Sequence, residues 1–171
     1  MATSLLTPND QSTAKSDSRA GKYLVFHLGE EEFGIQVQKV REIMGVQDIT
    51  QVPQTPPHVK GVINLRGKVI PVVDLRLKFD MPAVEYTHHT CIIVVQVSGA
   101  RAPMLMGIVV DGVAEVLNIA GADVEDTPSF GREVEIPYVM GLAKLKGKVK
   151  ILLDIDQVMS AGELARLELT A

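Results

Sequence analysis

His88, His89 and Cys91 are the closest approach to a metal-ligand cluster in the sequence. On a strand, positions 89 and 91 share a face while 88 points the other way. A structural zinc site needs four convergent ligands, and no second His/Cys group with suitable spacing is present. The segment reads as a solvated loop leading into a core cysteine, and no metal is expected. Glu42 and Glu115 sit at matching positions in two similar segments and suggest a carboxylate pair for acid–base work. Neither has a nucleophile or an oxyanion site beside it. Each reads instead as the polar side of an alternating strand, as in Val40-Arg41-Glu42-Ile43.

Lys144, Lys146, Lys148 and Lys150 alternate along another segment, which strand geometry puts mostly on one side, opposite Leu145, Val149 and Ile151. Basic hairpins of small barrels can bind RNA, but this chain is acidic and the hairpin offers no aromatic stacking platform. Lysines on a strand also discourage unwanted edge pairing. Asp74 and Asp154 each end a strand-like run and read as turn or cap residues bonded to nearby backbone amides. His27 and His58 stand alone and read as structural. With no nucleophile elbow and no phosphate-cradling glycine loop, no catalytic residue and no cofactor are expected.

The elements that carry these residues come in duplicate. Residues 61–75 read GVINLRGKVIPVVDL and residues 141–155 read GLAKLKGKVKILLDI. Upstream, FGIQVQKVREI (33–43) matches MGIVVDGVAEV (106–116), and each follows an apolar run, Tyr23–Leu28 or Cys91–Val97. Arg66-Gly67 and Lys146-Gly147 predict tight hairpin turns in which glycine supplies the positive φ. Asp111-Gly112 predicts another turn, between 108–110 and 113–117. Pro71 lacks an amide donor and should occupy a strand edge or a bulge. Val52-Pro-Gln-Thr-Pro-Pro57 is a stiff loop, residues 76–90 connect the copies, and 118–137 form a long acidic loop. Ser160-x-x-Glu163 is a capping-box pattern ahead of Leu164 and Leu167, which predicts a short C-terminal helix.

Each copy holds about five short strands, which suits a small closed or partly open barrel. Two such units, marginal alone, would stabilise each other through a shared apolar interface. The expected fold is mainly β, with a disordered tail over 1–21, a first barrel over 22–86, a second over 87–158 and a helix over 159–171. The whole forms one domain over 22–169. Whether the terminal strands of each copy cross to the other barrel is not decided by the repeat.

Composition is that of a globular protein, 46% hydrophobic and 22% charged, with a net charge of -4. That charge disfavours nucleic acid and anionic membranes. The lone Cys91 cannot form an internal disulfide, which fits a reducing cytoplasm. Residues 1–21 lack the apolar core of a signal peptide, and no apolar run reaches the ~18 residues of a membrane helix. The expectation is a cytoplasmic protein without direct membrane insertion.

Four blocks, 26–43, 55–79, 106–117 and 139–158, resemble the CheW family in both wording and order, and NLRG-x-V-x-P-V-V-D-L-R (64–76) is the most specific of the matches. The resemblance runs from about Tyr23 to Leu169. It implies two packed five-stranded barrels of the Src-homology-three type. It also implies a non-enzymatic adaptor that joins the cytoplasmic tips of chemoreceptors to the regulatory domain of the histidine kinase CheA, recruited to membrane-associated receptor arrays. Carried over by motif, the partner-binding residues would be Val40, Glu42 and Ile43, then Gly61 and Arg66. In the second copy they would be Gly107, Val113, Val116 and Gly141. A turn or bulge requirement is the competing reading for each glycine.

Overall fold

The computed structural model describes residues 18–99, 102–126 and 138–170. The strands are β1 (Gly21–Leu28), β2 (Glu31–Gln36), β3 (Val40–Gly45), β4 (Val59–Leu65), β5 (Lys68–Asp74), β6 (Cys91–Ser98), β7 (Pro103–Val110), β8 (Gly112–Ile119), β9 (Val124–Glu125), β10 (Val139–Leu145) and β11 (Lys148–Leu153). Two short helices each follow a strand, α1 (Leu75–Lys78) and α2 (Ile155–Val158), and α3 (Ala161–Thr170) follows α2. No helix among the described residues is long and apolar enough to cross a membrane.

The strands form two sheets, in the orders β3-β6-β7-β5-β4 and β8-β1-β2-β11-β10-β9. Each curls until the continuation of its first strand meets its last. Beyond β3, Thr50 bridges to Val62 of β4 through two backbone hydrogen bonds of 2.9 Å. Beyond β8, β9 pairs with β10 at Glu125↔Leu142, the equivalent place in the repeat. The result is two small Src-homology-three-like barrels.

The barrels do not follow the sequential division at residue 86. One, the mid-chain barrel, is built from β3 to β7; the other, the split barrel, joins β1 and β2 to β8–β11. Each copy of the repeat therefore lends its first hairpin to the later strands of the other copy. The crossings lie at Val37–Lys39 and at Asp111. Asp111-Gly112 is thus the passage between barrels, not a hairpin turn. Periodicity could not have assigned the hairpins, because β1 and β6 are each buried on both faces over four consecutive residues and look alike.

Burial on both faces produces three cores. Ile63, Ile70, Val72, Ile92, Val94 and Val109 fill the mid-chain barrel. Tyr23, Ile119, Val124, Ala143 and Leu152 fill the split barrel. The largest cluster lies between them and includes Leu24, Phe26 and Ile35 from one barrel and Ile93, Val95 and Ile108 from the other. The aromatic rings of Phe26, Phe33, Phe79 and Tyr138 stack in sequence through this shared core, with centroid spacings of 5.9, 5.9 and 5.0 Å.

Local details sharpen or correct the sequence reading. Both turn residues of each hairpin have positive φ: Arg66 50° and Gly67 85°, Lys146 54° and Gly147 76°. These are mirror-image turns matched to the strand twist. Pro71 lies in an interior strand, not at an edge. It is tolerated because the parallel ladder of β5 with β7 starts one residue later, at Val72↔Gly107. Asp74 caps α1 by accepting from Arg76 N at 2.9 Å, and Asp154 caps α2 by accepting from Asp156 N at 3.1 Å. Glu163 N donates to Ser160 Oγ at 3.1 Å and Ser160 N donates to Glu163 Oε1 at 3.0 Å, closing the capping box of α3.

The expected tail over 1–21 lies outside the described residues up to 17, and ordered contacts begin before its end. Arg19 is 9% exposed, with Nη1 donating to Asp126 at 2.9 Å and to the Met140 carbonyl at 3.2 Å. The acidic loop is also shorter than expected, because β8 runs to Ile119 and Val124 of β9 is buried; its remainder, 127–137, is outside the described residues.

Candidate partner-binding site

The candidate residues divide by exposure. Val40, Glu42 and Ile43 lie on β3, the first strand of the mid-chain barrel. Val40 is half-buried against the shared core, while Ile43 is 45% exposed. Arg66, at the tip of the β4–β5 hairpin, reaches across the barrel to Glu42 with a two-pronged ion pair, Nη2–Oε2 2.8 Å and Nη1–Oε1 3.1 Å. The hydrogen bonds from Arg66 hold the Glu42 carboxyl below its ordinary pKa, and the same contact raises that of the guanidinium. Arg41 also braces β3, donating to Gln96 Oε1 at 3.0 and 2.7 Å. Glu42, Arg66, Val69, Val94, Gln96 and Leu105 line a cleft of about 950 Å³ beneath this pair.

In the split barrel, Val113 is half-buried against the shared core and Val116 is 54% exposed. The pairings Val40/Val113 and Ile43/Val116 thus agree in burial as well as in sequence. Glu115 and Lys146 are the counterparts of Glu42 and Arg66, and among the described residues no ion pair joins them.

The three glycines are not surface residues. Gly61, Gly107 and Gly141 are all buried. A Cβ on Gly61 would overlap the Thr50 carbonyl oxygen that closes the barrel. One on Gly107 would lie 2.9 Å from Ile92 Cγ2, and one on Gly141 2.9 Å from the Glu125 carbonyl oxygen and 3.0 Å from Arg19 Nη1. Each serves close packing of its own barrel, which is the backbone reading weighed against direct contact.

The alternative chemistries find little footing. The His88 and His89 rings lie 3.9 Å apart on an exposed loop, and among the described residues no three His, Cys, Asp or Glu side chains converge. The lysine hairpin is not one basic face. Lys150 is 5% exposed with Nζ 3.3 Å from Glu32, because β11 is an interior strand between β2 and β10. Lys144 pairs with Glu125 at 3.0 Å. His58 is tied to Glu163 at 2.8 Å, a structural role.

Residues 22–163 match the family model described as the CheW-like domain. This chain belongs to the CheW-like family. It is 40% identical over 147 residues to the chemotaxis protein CheW of Klebsiella aerogenes, covering 86% of both chains. It is 34% identical over 153 residues to the chemotaxis protein CheW of Rhizobium meliloti, covering 89% of this chain and 96% of the relative. The crystal structure of the scaffolding protein TtCheW from Thermoanaerobacter tengcongensis superposes with a TM-score of 0.74 at 32% identity, covering 84% of this chain and 95% of that one.

In this CheW-like chain one feature escaped the sequence reading. Val69 and Val149, 47% and 46% exposed, occupy the same position in the two copies of the hairpin. With Ile43 and Val116 they give each barrel an equivalent pair of exposed aliphatic side chains. The signal was present as a β-branched residue just after each turn, where two exposed residues precede the buried run of the strand. It was hidden because a valine in a strand ordinarily reads as core.

Proposed function

We propose that this CheW-like chain is a non-catalytic scaffold that couples chemoreceptors to the histidine kinase CheA. The scaffold role in chemotaxis is that of its family. The finer reading assigns partner contact to Val40, Glu42, Ile43 and Arg66 on the mid-chain barrel and to Val113 and Val116 on the split barrel. Gly61, Gly107 and Gly141 act indirectly, by holding the strands that present those side chains.

The observation that carries this reading is the repeated exposed pair, Ile43 with Val69 and Val116 with Val149. Large aliphatics held in water at equivalent positions of two barrels favour partners that cover them, each fully buried side chain contributing about 1.5–3 kcal/mol. Two such places also suit a protein that must hold two partners at once. Ile43 follows Glu42 in the chain and Val69 lines the cleft with Glu42 and Arg66, apolar side chains that suit the apolar face of a receptor helix, and the regulatory domain of the kinase would dock barrel to barrel.

Reconstitution tests the reading. Mixing the full chain with CheA and a receptor signalling fragment should yield a ternary complex and raise kinase autophosphorylation. Steep salt-dependent RNA binding, with no such complex, would overturn it.

A further inference from the structure

The two places where the chain passes between barrels are each held by an ion-pair clasp. At the Asp111 crossing, Arg76 of α1 donates to Asp111 through Nε at 2.7 Å and Nη2 at 2.6 Å. The same carboxylate accepts from Gly29 N, in the β1–β2 turn, at 2.7 Å. At the Val37–Lys39 crossing, Lys39 Nζ donates to Asp156 of α2 at 2.7 Å. Asp156 also accepts from Ser98 N, at the end of β6, at 2.9 Å. Each clasp therefore joins groups of both barrels, and all four charged side chains are partly buried.

The clasps are charge-reversed copies of each other. Arg76 and Asp156 occupy one position of the repeat, two residues beyond the capping Asp74 and Asp154. Gln38 and Lys39 occupy the positions of Asp111 and Gly112. Were each copy to keep its own first hairpin, Arg76 would face Lys39 and Asp156 would face Asp111. The backbone would not resist, because Val72↔Gly107 and Leu152↔Gly34 are equivalent pairs in the β5–β7 and β11–β2 ladders. A third pair points the same way. Lys150↔Glu32 in the split barrel stands where Ile70, in a core that Leu105 packs against, stands in the mid-chain barrel. A self-closed copy would put Lys150, 5% exposed, beside Leu105 and bury its ammonium without a carboxylate.

We propose that these three ion pairs are a pairing code that assigns each first hairpin to the other copy's barrel. They attract in the exchanged arrangement, and they oppose the self-closed one by like-charge contact or unpaired burial. None of the six residues is assigned to receptor or kinase contact, so the code stands apart from the scaffold function.

Pyrene labels on introduced cysteines report the pairing in the full chain, in a Cys91→Ala background diluted into excess unlabelled chain. Glu30→Cys with Lys148→Cys brackets the exchanged ladder, two positions before Lys150↔Glu32. Glu30→Cys with Lys68→Cys brackets the self-closed ladder. In the exchanged fold Lys68 starts β5, roughly 20 Å of extended strand from the Arg76 clasp that holds Gly29. With native charges, refolding from urea should give excimer emission from the first pair alone. Arg76→Asp with Asp156→Lys should lower the ratio of first-pair to second-pair emission by about tenfold per clasp. Adding Lys39→Asp with Asp111→Lys should restore it. Arg76→Gln with Asp156→Asn removes both clasps without repulsion and should lower the ratio by about threefold per clasp; it decides the matter if the charge-reversed variant does not fold. An unchanged ratio in the variant that folds, or one that the compensating pair leaves low, would overturn the proposal.

Discussion

Replacing Gly61 by alanine separates packing from partner contact. Gly61 has φ +140°, and the added Cβ would meet backbone, the carbonyl of Thr50, rather than a side chain that can swing away. A non-glycine residue in such a conformation costs about 1–3 kcal/mol. Relief of the overlap requires opening the Thr50–Val62 bridge, whose two hydrogen bonds of 2.9 Å close the mid-chain barrel. Each contributes about 1 kcal/mol net, so the total loss is about 4 kcal/mol. That is a large share of the 5–15 kcal/mol that ordinarily holds a domain together, an order-of-magnitude range. Urea unfolding followed by circular dichroism measures it, with an unchanged slope showing that the denatured state is the same. Gly67→Ala is the control: φ is +85° with nothing within 4 Å, so only the conformational cost of about 1–2 kcal/mol is expected. If Gly61→Ala lost less than about 1 kcal/mol yet still abolished partner binding, Gly61 would be a contact residue and the packing argument would be refuted.

Three further outcomes follow from the same geometry. Arg66→Glu should leave the unfolding midpoint near wild type, since the ion pair with Glu42 is exposed, while weakening receptor coupling; wild-type coupling in kinase assays would remove Arg66 from the site. Lys150→Met leaves the half-buried Glu32 without its partner and should cost about 2 kcal/mol in urea unfolding, whereas Glu32→Leu with Lys150→Met should recover most of it; equal loss in single and double variants would show that the pair itself is not responsible. Burial pushes the Glu163 pKa up, but the hydrogen bonds and charge of Ser160 N and Lys78 outweigh it and bring the pKa to about 2, below the ordinary 4.5. The folded state therefore holds this proton less readily, so the stabilisation is complete above about pH 4.5 and disappears as pH falls towards about 2. The stability gap between wild type and Glu163→Gln should narrow over that window in acid titrations, and a gap independent of pH would contradict the assignment.

Much of this molecule could be read from local chemistry. The hairpin turns at Arg66-Gly67 and Lys146-Gly147, the caps at Asp74 and Asp154, and the capping box at Ser160 each involve residues within a few positions of one another. Their partners are fixed by backbone geometry before any tertiary contact forms. The candidate surface was named through the family resemblance, and the structure then puts Ile43 and Val116 at the same place in two copies of one strand, both exposed.

What escaped the sequence depends on which strand lies beside which. Lys150 looked like its neighbours Lys146 and Lys148, and only the insertion of β11 between β2 and β10 buries it against Glu32. Gly61, Gly107 and Gly141 were open to either a contact role or a backbone requirement, and only the approach of Thr50, Ile92 and Glu125 shows what a side chain there would meet.

The sequence by itself determined that the protein is a duplicated mainly-β unit with a capped terminal helix, because those properties reside in periodicity and short spacings. Only the tertiary structure decided that each copy gives its first hairpin to the other and that the barrels share a third core. β1 and β6 are apolar on both faces and could pair in either barrel, so the choice is made by crossover geometry at Val37–Lys39 and Asp111, not by composition.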